Sequence, residues 1–450
     1  MFVPDERMMS LIFDYCRDRL RLEPVPLDYS GEKKILDGAL EGLMTAAGND
    51  PERVLGIFSE VLAPAVVSCD SPRFLAFIPA APTKASLLFD MVVSCSSLQG
   101  SSWLEAAGAV AAENQALRVI ADLAGLPATA GGCFVSGGSA GNLSALVVAR
   151  EIGRRRLGQR APGRLRIAVS DQAHASVGKS LAVIGVDPLV VPTSRQRLTG
   201  PELERAIRAD PDPSSIVGVA ATAGTTNAGI IDDLAGIAEV AGRRDLWFHV
   251  DGAYGGAGLF APSVRDRYAG VELADSLVID PHKWLFAPFD CASLLYRNPN
   301  LARAVHTQDA SYLDVIHTDA PEEWNPSDYA YHLTRRARGL ALWFSLAVYG
   351  TDAYRDAVEA ALAVAREAAE LIRGTPGLTL VRDPELSVVL FRRDGWRAGD
   401  YDRWSRRLLQ DQVGFVTPTK WEGETVARLA FLHPETSISI VQEILGTMLS

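Results

Sequence analysis

The sequence predicts an α/β protein built on a mostly parallel, doubly wound sheet. From residue 71 onward, short apolar runs alternate with longer segments of helical periodicity over roughly 200 residues. Most of these runs are apolar throughout and lack strict alternation, which is typical of strands covered by helices on both faces. The seven runs span residues 132–135, 166–169, 188–191, 216–221, 246–250, 276–279 and 291–296.

The composition excludes several classes of partner. The 450 residues include 44 Lys and Arg against 55 Asp and Glu, which gives a net charge of −11, and 48% are hydrophobic. This composition is typical of globular proteins, and the length suits about two or three domains. An acidic chain lacks the surplus of cations that nucleic acid or an anionic membrane surface requires. We therefore predict that the protein binds neither nucleic acid nor a membrane.

The cysteines and the N-terminus bear on the cellular compartment of the protein. The five cysteines are widely spaced and odd in number, and none forms a C-x-x-C pair, so we expect neither a disulfide scaffold nor a metal site. Acidic residues stand where a signal peptide has basic and then apolar ones. No window reaches about 18 uninterrupted apolar residues. The expected location is the cytoplasm.

We expect three parts along the chain: a helical N-terminal arm over residues 1–70, a large domain over 71–345 and a smaller α/β domain over 346–450. Within the large domain, residues 306–331 lack periodicity, and a long loop in a compact protein is usually functional or disordered. Helices are predicted at 10–22, 35–46, from about 334, and at 357–373, 400–410 and 437–449, with late strands at 378–381, 387–391 and 427–431.

The segment 136–142 reads SGGSAGN and lies between a predicted strand and a predicted helix. Backbone N–H groups at a helix N-terminus bind phosphate, and Gly138 would let phosphate approach while Ser139 adds a hydroxyl donor. The alternative is a tight turn between the strand and the helix. The segment matches neither of the common nucleotide-binding fingerprints.

Three further polar residues follow apolar strands. Asp251 ends the strand in WFHVDGAY and suits a metal ligand, a ribose ligand, the partner of a protonated ring nitrogen or a helix cap. His174, in DQAHAS, suits ring stacking, acid–base chemistry or a bond within its own loop. Lys283, in DPHKW, suits a nucleophilic amine. A phosphate cradle, a carboxylate, an amine and an aromatic ring at successive strand ends together predict a pyridoxal 5′-phosphate (PLP) site.

At these motifs the sequence resembles the group II PLP-dependent amino acid decarboxylases, above all their aromatic-L-amino-acid branch. The resemblance covers nearly the whole chain, and its motifs agree in order and spacing. The most specific segments are 71–74 (SPRF), 137–139 (GGS), 171–174 (DQAH), 222–226 (TAGTT), 249–251 (HVD) and 281–284 (PHKW).

The resemblance implies PLP fold type I, the aspartate aminotransferase-like fold, with a seven-stranded sheet. It implies that Lys283 binds the cofactor covalently, that Asp251 pairs with the ring nitrogen and that His174 stacks on the ring. The remaining cofactor residues are Gly138 and Ser139 at the phosphate, Thr222 and Ala253 along the ring, and His282 at the phosphate or the substrate carboxylate, with Asp232 behind His174.

The resemblance also implies a homodimer with active sites at the subunit interface and an N-terminal segment that wraps around the partner. A tyrosine in a mobile loop of the family protonates the substrate Cα after CO₂ leaves, and Tyr312 stands at that place, so Tyr312 or His174 would donate the proton. Arg335, Arg336 and Arg338 would anchor loop acids, approach the partner's phosphate or form a solvated basic face.

The expected reaction is decarboxylation of an L-amino acid with an aromatic or other large side chain. Candidate substrate residues are Phe77, Pro79, Gln99, Ser101 and Arg428. Gln99 and Ser101 replace apolar and aromatic residues of the aromatic branch, which favours a smaller or more polar substrate. An ionised Asp280 would repel phosphate, so this side chain is expected to point away or to be neutral.

Two other activities of the same fold stay open at this point. An aminotransferase usually holds the substrate carboxylate with an arginine of the small domain, and Arg428 suits that role. An aldehyde-forming decarboxylase–deaminase would use the same cofactor residues. The PHK motif and Tyr312 favour decarboxylation.

Overall fold

The computed structural model describes residues 2–79, 81–158, 163–316 and 323–449. The chain forms two units. The larger consists of residues 80–366 and 383–389, and the smaller of residues 1–79, 367–382 and 390–450. The expected boundaries at 70 and 345 differ from these borders. The three-part division remains a prediction, because an arm is defined by the partner subunit that it contacts.

The larger unit contains a seven-stranded sheet in the order β1-β7-β6-β5-β4-β2-β3. All seven predicted apolar runs form strands of this sheet, which confirms the predicted fold class. Strand β7 is antiparallel to both of its neighbours, β1 and β6. The other four pairs, β6 with β5, β5 with β4, β4 with β2 and β2 with β3, are parallel. The strands are β1 (Gly131–Val135), β2 (Arg166–Ser170), β3 (Asp187–Val191), β4 (Ile216–Thr222), β5 (Trp247–Asp251), β6 (Ser276–Ile279) and β7 (Ala292–Tyr296).

The central strands form from runs rich in apolar side chains, as expected for strands that helices cover on both faces. Every residue of β4, β5, β6 and β7 is buried. Burial of this kind stabilises the fold by about 25 cal/mol per Å² of apolar surface. The sheet is therefore a rigid base for the loops that follow its strands.

Fourteen helices are present among the described residues, and none of them is long and apolar enough to cross a membrane. They are α1 (Glu6–Leu20), α2 (Lys33–Leu40), α3 (Pro51–Ile57), α4 (Lys84–Cys95), α5 (Trp103–Leu123), α6 (Gly138–Leu157), α7 (Ala175–Val183), α8 (Gly200–Ala209), α9 (Leu234–Arg244), α10 (Pro281–Trp284), α11 (Pro299–His306), α12 (Leu340–Gly374), α13 (Ala398–Gln410) and α14 (Ile438–Leu449).

A second sheet has four strands in the order β10-β11-β9-β8. They are β8 (Leu378–Leu380), β9 (Val388–Arg393), β10 (Thr419–Trp421) and β11 (Glu424–Ala430). Three of these four were predicted, whereas β10 has only three residues and too short a pattern. The two helices expected after residue 334 lie within the range of α12, where a kink at Gly350, with φ +76° and ψ 164°, separates two helical segments. A glycine tolerates that left-handed backbone without steric cost.

Arg335 is buried in the larger unit and does not lie on a basic face. Its guanidinium makes a bidentate pair with Glu113, with both contacts at 2.8 Å. It also donates to the carbonyl oxygens of Phe134 and Gly100. Arg336 and Arg338 pair with Asp90 at 2.9 Å and with Asp290 at 2.7 Å. The three arginines expected to contact loop acids or the partner's phosphate therefore form ion pairs within their own unit.

We expect Glu113→Ala to lower the free energy of unfolding by about 3–5 kcal/mol, because it leaves the buried charge of Arg335 without a partner. Thermal or urea denaturation measures the loss. Glu370→Ala is the matched control, since it removes a solvent-exposed pair with Arg373 and should cost less than about 1 kcal/mol. Equal losses in the two variants would contradict the importance of the buried pair.

Candidate active site

The carboxyl ends of β1, β2, β4, β5 and β6 lie at one edge of the sheet, because β7 is antiparallel to both β1 and β6. The segments that follow these strands enclose a cavity of about 290 Å³, near the lower end of the roughly 300–1,000 Å³ usual for small-molecule sites. All eight cofactor residues expected from the sequence line it: Gly138, Ser139, His174, Thr222, Asp251, Ala253, His282 and Lys283.

The glycine-rich loop joins β1 to α6, and Gly138 is the first residue of that helix. The N–H of Gly138 donates to Asp280 Oδ2 at 3.1 Å. A Cβ atom on Gly138 would lie 2.9 Å from Ala253 Cβ and 3.0 Å from Asp280 Oδ2, closer than real Cβ contacts. Only glycine leaves the N-terminus of α6 open to an anion.

Gly138→Ala should therefore weaken the affinity of the apo-protein for PLP by roughly tenfold or more, because the added methyl group occupies the phosphate cradle. Absorbance titration of the apo-protein with PLP measures this affinity. In Gly178→Ala the new Cβ atom meets nothing within 4 Å, so this variant should bind PLP as the wild type does. If both variants bind PLP equally well, the phosphate does not lie at this loop.

Lys283 lies in the short helix α10, directly after β6. Its amine is 2.9 Å from Asp280 Oδ2, and His282 Nε2 is 3.5 Å from the same oxygen. The N–H of Cys291 donates to His282 Nδ1 at 3.0 Å, and burial lowers the pKa of this histidine. Asp280 thus faces the cavity rather than pointing away, held between the amine of Lys283 and the N–H of Gly138.

Asp251 ends β5 with both carboxylate oxygens bound. Oδ1 accepts the N–H of Ala253 at 3.1 Å, and Oδ2 accepts from Asn142 Nδ2 at 2.8 Å. The side chain of Asp251 is buried at the base of the cavity. An acceptor-only group in this position suits a protonated ring nitrogen.

His174 caps the N-terminus of α7 with its ring nitrogen Nδ1, which lies 3.2 Å from the N–H of Ser176 and 2.8 Å from Ser176 Oγ. Asp232, expected behind His174, instead accepts the backbone N–H groups of Thr222 at 2.7 Å and Leu198 at 2.8 Å. Burial raises the pKa of Asp232 to about 7. Its contacts hold the end of β4, and with it Thr222, in place.

Among the described residues of the larger unit, Tyr312, Gln99 and Ser101 do not line this cavity. Tyr312 is 71% exposed, and residues 317–322 of the expected loop lie outside the described part of the chain. Gln99 bonds Glu105, while Ser101 is buried and its hydroxyl accepts the N–H of Arg335. In the smaller unit, Phe77 is 60% exposed, Pro79 is buried and Arg428 donates to the carbonyl oxygen of Phe77 at 2.9 Å.

Several cavity residues were not among the expected site residues. Asn142, Ser176, Gly224, Thr226 and Tyr254 also line it. Asn142 and Thr226 lie inside motifs that the sequence singled out, and Asn142 is four residues after Gly138, one helical turn further along α6. That spacing is the one signal in the sequence that places Asn142 near the glycine-rich loop.

The residues present fit PLP. A buried oxygen of Asp280, Oδ1, has no hydrogen-bond partner in the described structure. The other oxygen, Oδ2, contacts Gly138, His282 and Lys283. The cavity combines an amine, a glycine-rich helix N-terminus and an acceptor-only carboxylate. A small molecule with an aldehyde, a phosphate and a basic ring nitrogen matches these three groups.

Comparisons with known proteins agree with this geometry. A family model described as the pyridoxal-dependent decarboxylase conserved domain matches residues 39–394. An aromatic-L-amino-acid decarboxylase of Bacillus atrophaeus is 28% identical over 97% of this chain and 92% of its own length. An L-2,4-diaminobutyrate decarboxylase of Rhizobium meliloti (strain 1021) is 31% identical over 91% of this chain and 85% of its own.

A solved structure shares the whole fold. It is Oryza sativa TDC with PLP and tryptamine, which has a TM-score of 0.92 and 25% sequence identity to this chain. The alignment covers 100% of this chain and 99% of that one.

Proposed function

Because this chain belongs to the pyridoxal-dependent decarboxylase family, we propose that it converts an L-amino acid with an aromatic or other large side chain to its amine and CO₂. It is a PLP-dependent carboxy-lyase of fold type I. The observation that carries the assignment of residues is the convergence of Lys283, Asp251, His174 and Gly138 on one cavity.

When bound, PLP supplies an aldehyde for the amine of the substrate and a ring that accepts the electrons of the breaking bond. Lys283 would offer its amine from α10 to the aldehyde of the cofactor and would hold the cofactor covalently. Asp251, buried and acceptor-only, keeps a proton on the ring nitrogen. Gly138 and Ser139 bind the phosphate and orient the ring relative to His174.

Tyr312 is proposed to protonate the substrate Cα once CO₂ has left. Its phenol has a hydroxyl proton to give, and its exposed position on a short turn leaves it accessible to a second subunit. His174 is the second candidate, because it lines the cavity. Closure of the segment that holds Tyr312 would exclude water during this step.

The substrate is proposed from the expected pocket residues and the relatives. The relatives are named for aromatic amino acids and for L-2,4-diaminobutyrate, so the family accepts both apolar and polar side chains. In this chain, Gln99 and Ser101 carry an amide and a hydroxyl where the aromatic branch has apolar and aromatic residues, which favours a polar group on the substrate side chain.

A screen of the common L-amino acids for PLP-dependent CO₂ release, with the amines identified by mass, tests this proposal. We expect the kcat/KM for one amino acid with a large side chain to exceed the kcat/KM for each of the others by about tenfold or more. Amino-group transfer to an added 2-oxo acid without CO₂ would instead establish the aminotransferase alternative.

We propose that the protein is a homodimer with active sites at the subunit interface. Apolar side chains exposed on α1 (Met8, Ile12 and Phe13) and on α4 (Leu88 and Val92) support an interface between copies. Sedimentation should give about twice the 48.4 kDa of one chain.

Co-expression of Lys283→Ala with Tyr312→Phe tests whether the sites are shared. If Tyr312 serves the partner's site, the mixed dimer has one complete site and recovers activity that neither variant has alone. If Tyr312 serves its own subunit, the mixed dimer has no complete site and stays inactive.

A cytoplasmic location is also proposed. No disulfide joins the five cysteines, all of which lie in the described part of the chain, and Cys133 and Cys291 are buried. Thiols of this kind persist in a reducing compartment.

A further inference from the structure

A chain of hydrogen bonds runs behind the cavity from Trp247 to Asn142. Trp247 Nε1 donates to Ser276 Oγ at 2.9 Å, and Ser276 Oγ lies 2.8 Å from His249 Nδ1. His249 Nε2 lies 2.9 Å from Asn142 Oδ1. All four side chains are buried, so their hydrogen bonds are sheltered from water.

The orientation of the Asn142 amide follows from Asp251. A carboxylate accepts and does not donate, so the group 2.8 Å from Asp251 Oδ2 must be the NH₂ of Asn142. The amide oxygen then faces His249, whose Nε2 must donate. His249 Nδ1 in turn accepts from Ser276, whose oxygen takes the indole N–H of Trp247. Burial lowers the pKa of His249 to about 4, which agrees with a single ring proton.

The same NH₂ group is connected to His174 through the hydroxyl of Ser176. Asn142 Nδ2 lies 3.1 Å from Ser176 Oγ as well, and this oxygen lies 2.8 Å from His174 Nδ1. The backbone N–H of Ser176 also points at His174 Nδ1, and a backbone N–H only donates. His174 Nδ1 is therefore an acceptor, and a neutral His174 carries its proton on Nε2.

We propose that Asn142 is a positioning residue that orients both polar partners of the cofactor ring. It binds Asp251 directly and, through Ser176, orients His174, whose Nδ1 accepts from the Ser176 hydroxyl as well as from the Ser176 backbone N–H. One amide group occupies one oxygen of the carboxylate and directs the hydroxyl of Ser176 towards the histidine ring. The ring partner and the stacking histidine thus have their hydrogens ordered before the cofactor binds. This inference rests on the proposed function, which places the cofactor ring between Asp251 and His174.

The test is long-range ¹H–¹⁵N spectroscopy of apo-protein labelled in its histidine rings, with His174 and His249 assigned by substituting each in turn. In the wild type we expect His174 and His249 both to show a protonated Nε2 and an unprotonated Nδ1. Asn142→Asp keeps the shape of the side chain but has no NH₂ group. It should alter the signals of both histidines and lower the affinity of the apo-protein for PLP by roughly 10–100-fold.

Ser176→Ala is the second variant, because it removes only the link to His174. It should change the ¹⁵N signal of His174 Nδ1, which then accepts only from the backbone N–H of Ser176, and leave His249 unchanged, and it remains informative if Asn142→Asp does not fold. Asn300→Ala, at an exposed asparagine in α11, is the matched control and should change neither histidine. Wild-type signals for His174 in both Asn142→Asp and Ser176→Ala, or an Nδ1–H tautomer in the wild type, would overturn the proposal.

The spectra are independent of catalysis. If the predicted CO₂ release were absent while the tautomers behaved as expected, the proposed function would fail and the positioning role of Asn142 would stand. Normal CO₂ release with unchanged His174 signals in both variants would refute the positioning role of Asn142 and leave the proposed function intact.

Discussion

Lys283→Ala should lower the rate of CO₂ release by a factor on the order of 10⁴ or more, because the amine that holds the cofactor is lost. After borohydride treatment and removal of unattached cofactor under denaturing conditions, the wild type should keep the absorbance of the reduced cofactor and Lys283→Ala should lose it, because only the lysine gives a covalent link to reduce. Radiolabelled CO₂ and absorbance spectra measure the two effects.

Two further variants separate chemistry from folding. Lys283→Ala also leaves Asp280 buried without its cation at 2.9 Å, so a loss of stability is expected as well. Lys283→Arg keeps a positive charge for Asp280 but its guanidinium stays protonated and cannot act as an amine nucleophile. We expect it to be folded and inactive, whereas Lys179→Ala, at an exposed lysine of α7, should keep full activity. Wild-type turnover in Lys283→Arg would show that this lysine is not the nucleophile.

Tyr312→Phe should lower amine formation by roughly 10²–10³-fold and give carbonyl products, since phenylalanine keeps the ring but has no hydroxyl proton for Cα. Amine and carbonyl products are quantified together by mass spectrometry. CO₂ release should fall less than amine formation does, because the bond to the carboxylate breaks before this proton is needed.

Tyr29→Phe is the control for this substitution, because Tyr29 is also exposed, at 59%, and has no proposed role. It should form amine at the wild-type rate. If Tyr312→Phe also does so, His174 becomes the proton donor and the role proposed for Tyr312 is wrong.

The larger sheet is predictable from the sequence because its strands are buried on both faces. The run predicted at 276–279 coincides with β6, and the run at 216–221 ends one residue before β4 does. A continuous run of apolar residues is a local property of the chain, so it can be recognised in a single sequence without an alignment. By contrast, β10 has three residues with mixed burial, and no local pattern separates such a strand from a turn.

The cofactor residues are predictable for a related reason. Parallel strands bring their carboxyl ends to one edge, so Asp251 and Lys283 are expected together once the topology is known. The residues that form hydrogen bonds to these cofactor residues are harder to predict from the sequence. Asn142 lies 107 residues from His249 and 109 from Asp251 along the chain, and only the folded sheet brings these side chains within hydrogen-bond distance.

The arginines after the loop illustrate the same limit. Arg335 and Glu113 are 222 residues apart, and nothing in the local charge pattern distinguishes a buried pair from a solvated face. The role of Tyr312 is predicted from its place in a family motif, and its proposed contacts in catalysis would involve a second subunit.

The central claim is that this protein removes CO₂ from an amino acid and returns a proton to the same carbon. Turnover in D₂O of the substrate found in the amino acid screen tests it directly. We predict one amine formed for each CO₂ released, with one solvent deuterium at Cα of that amine. Consumption of the amino acid with formation of a 2-oxo acid and no labelled amine would contradict it.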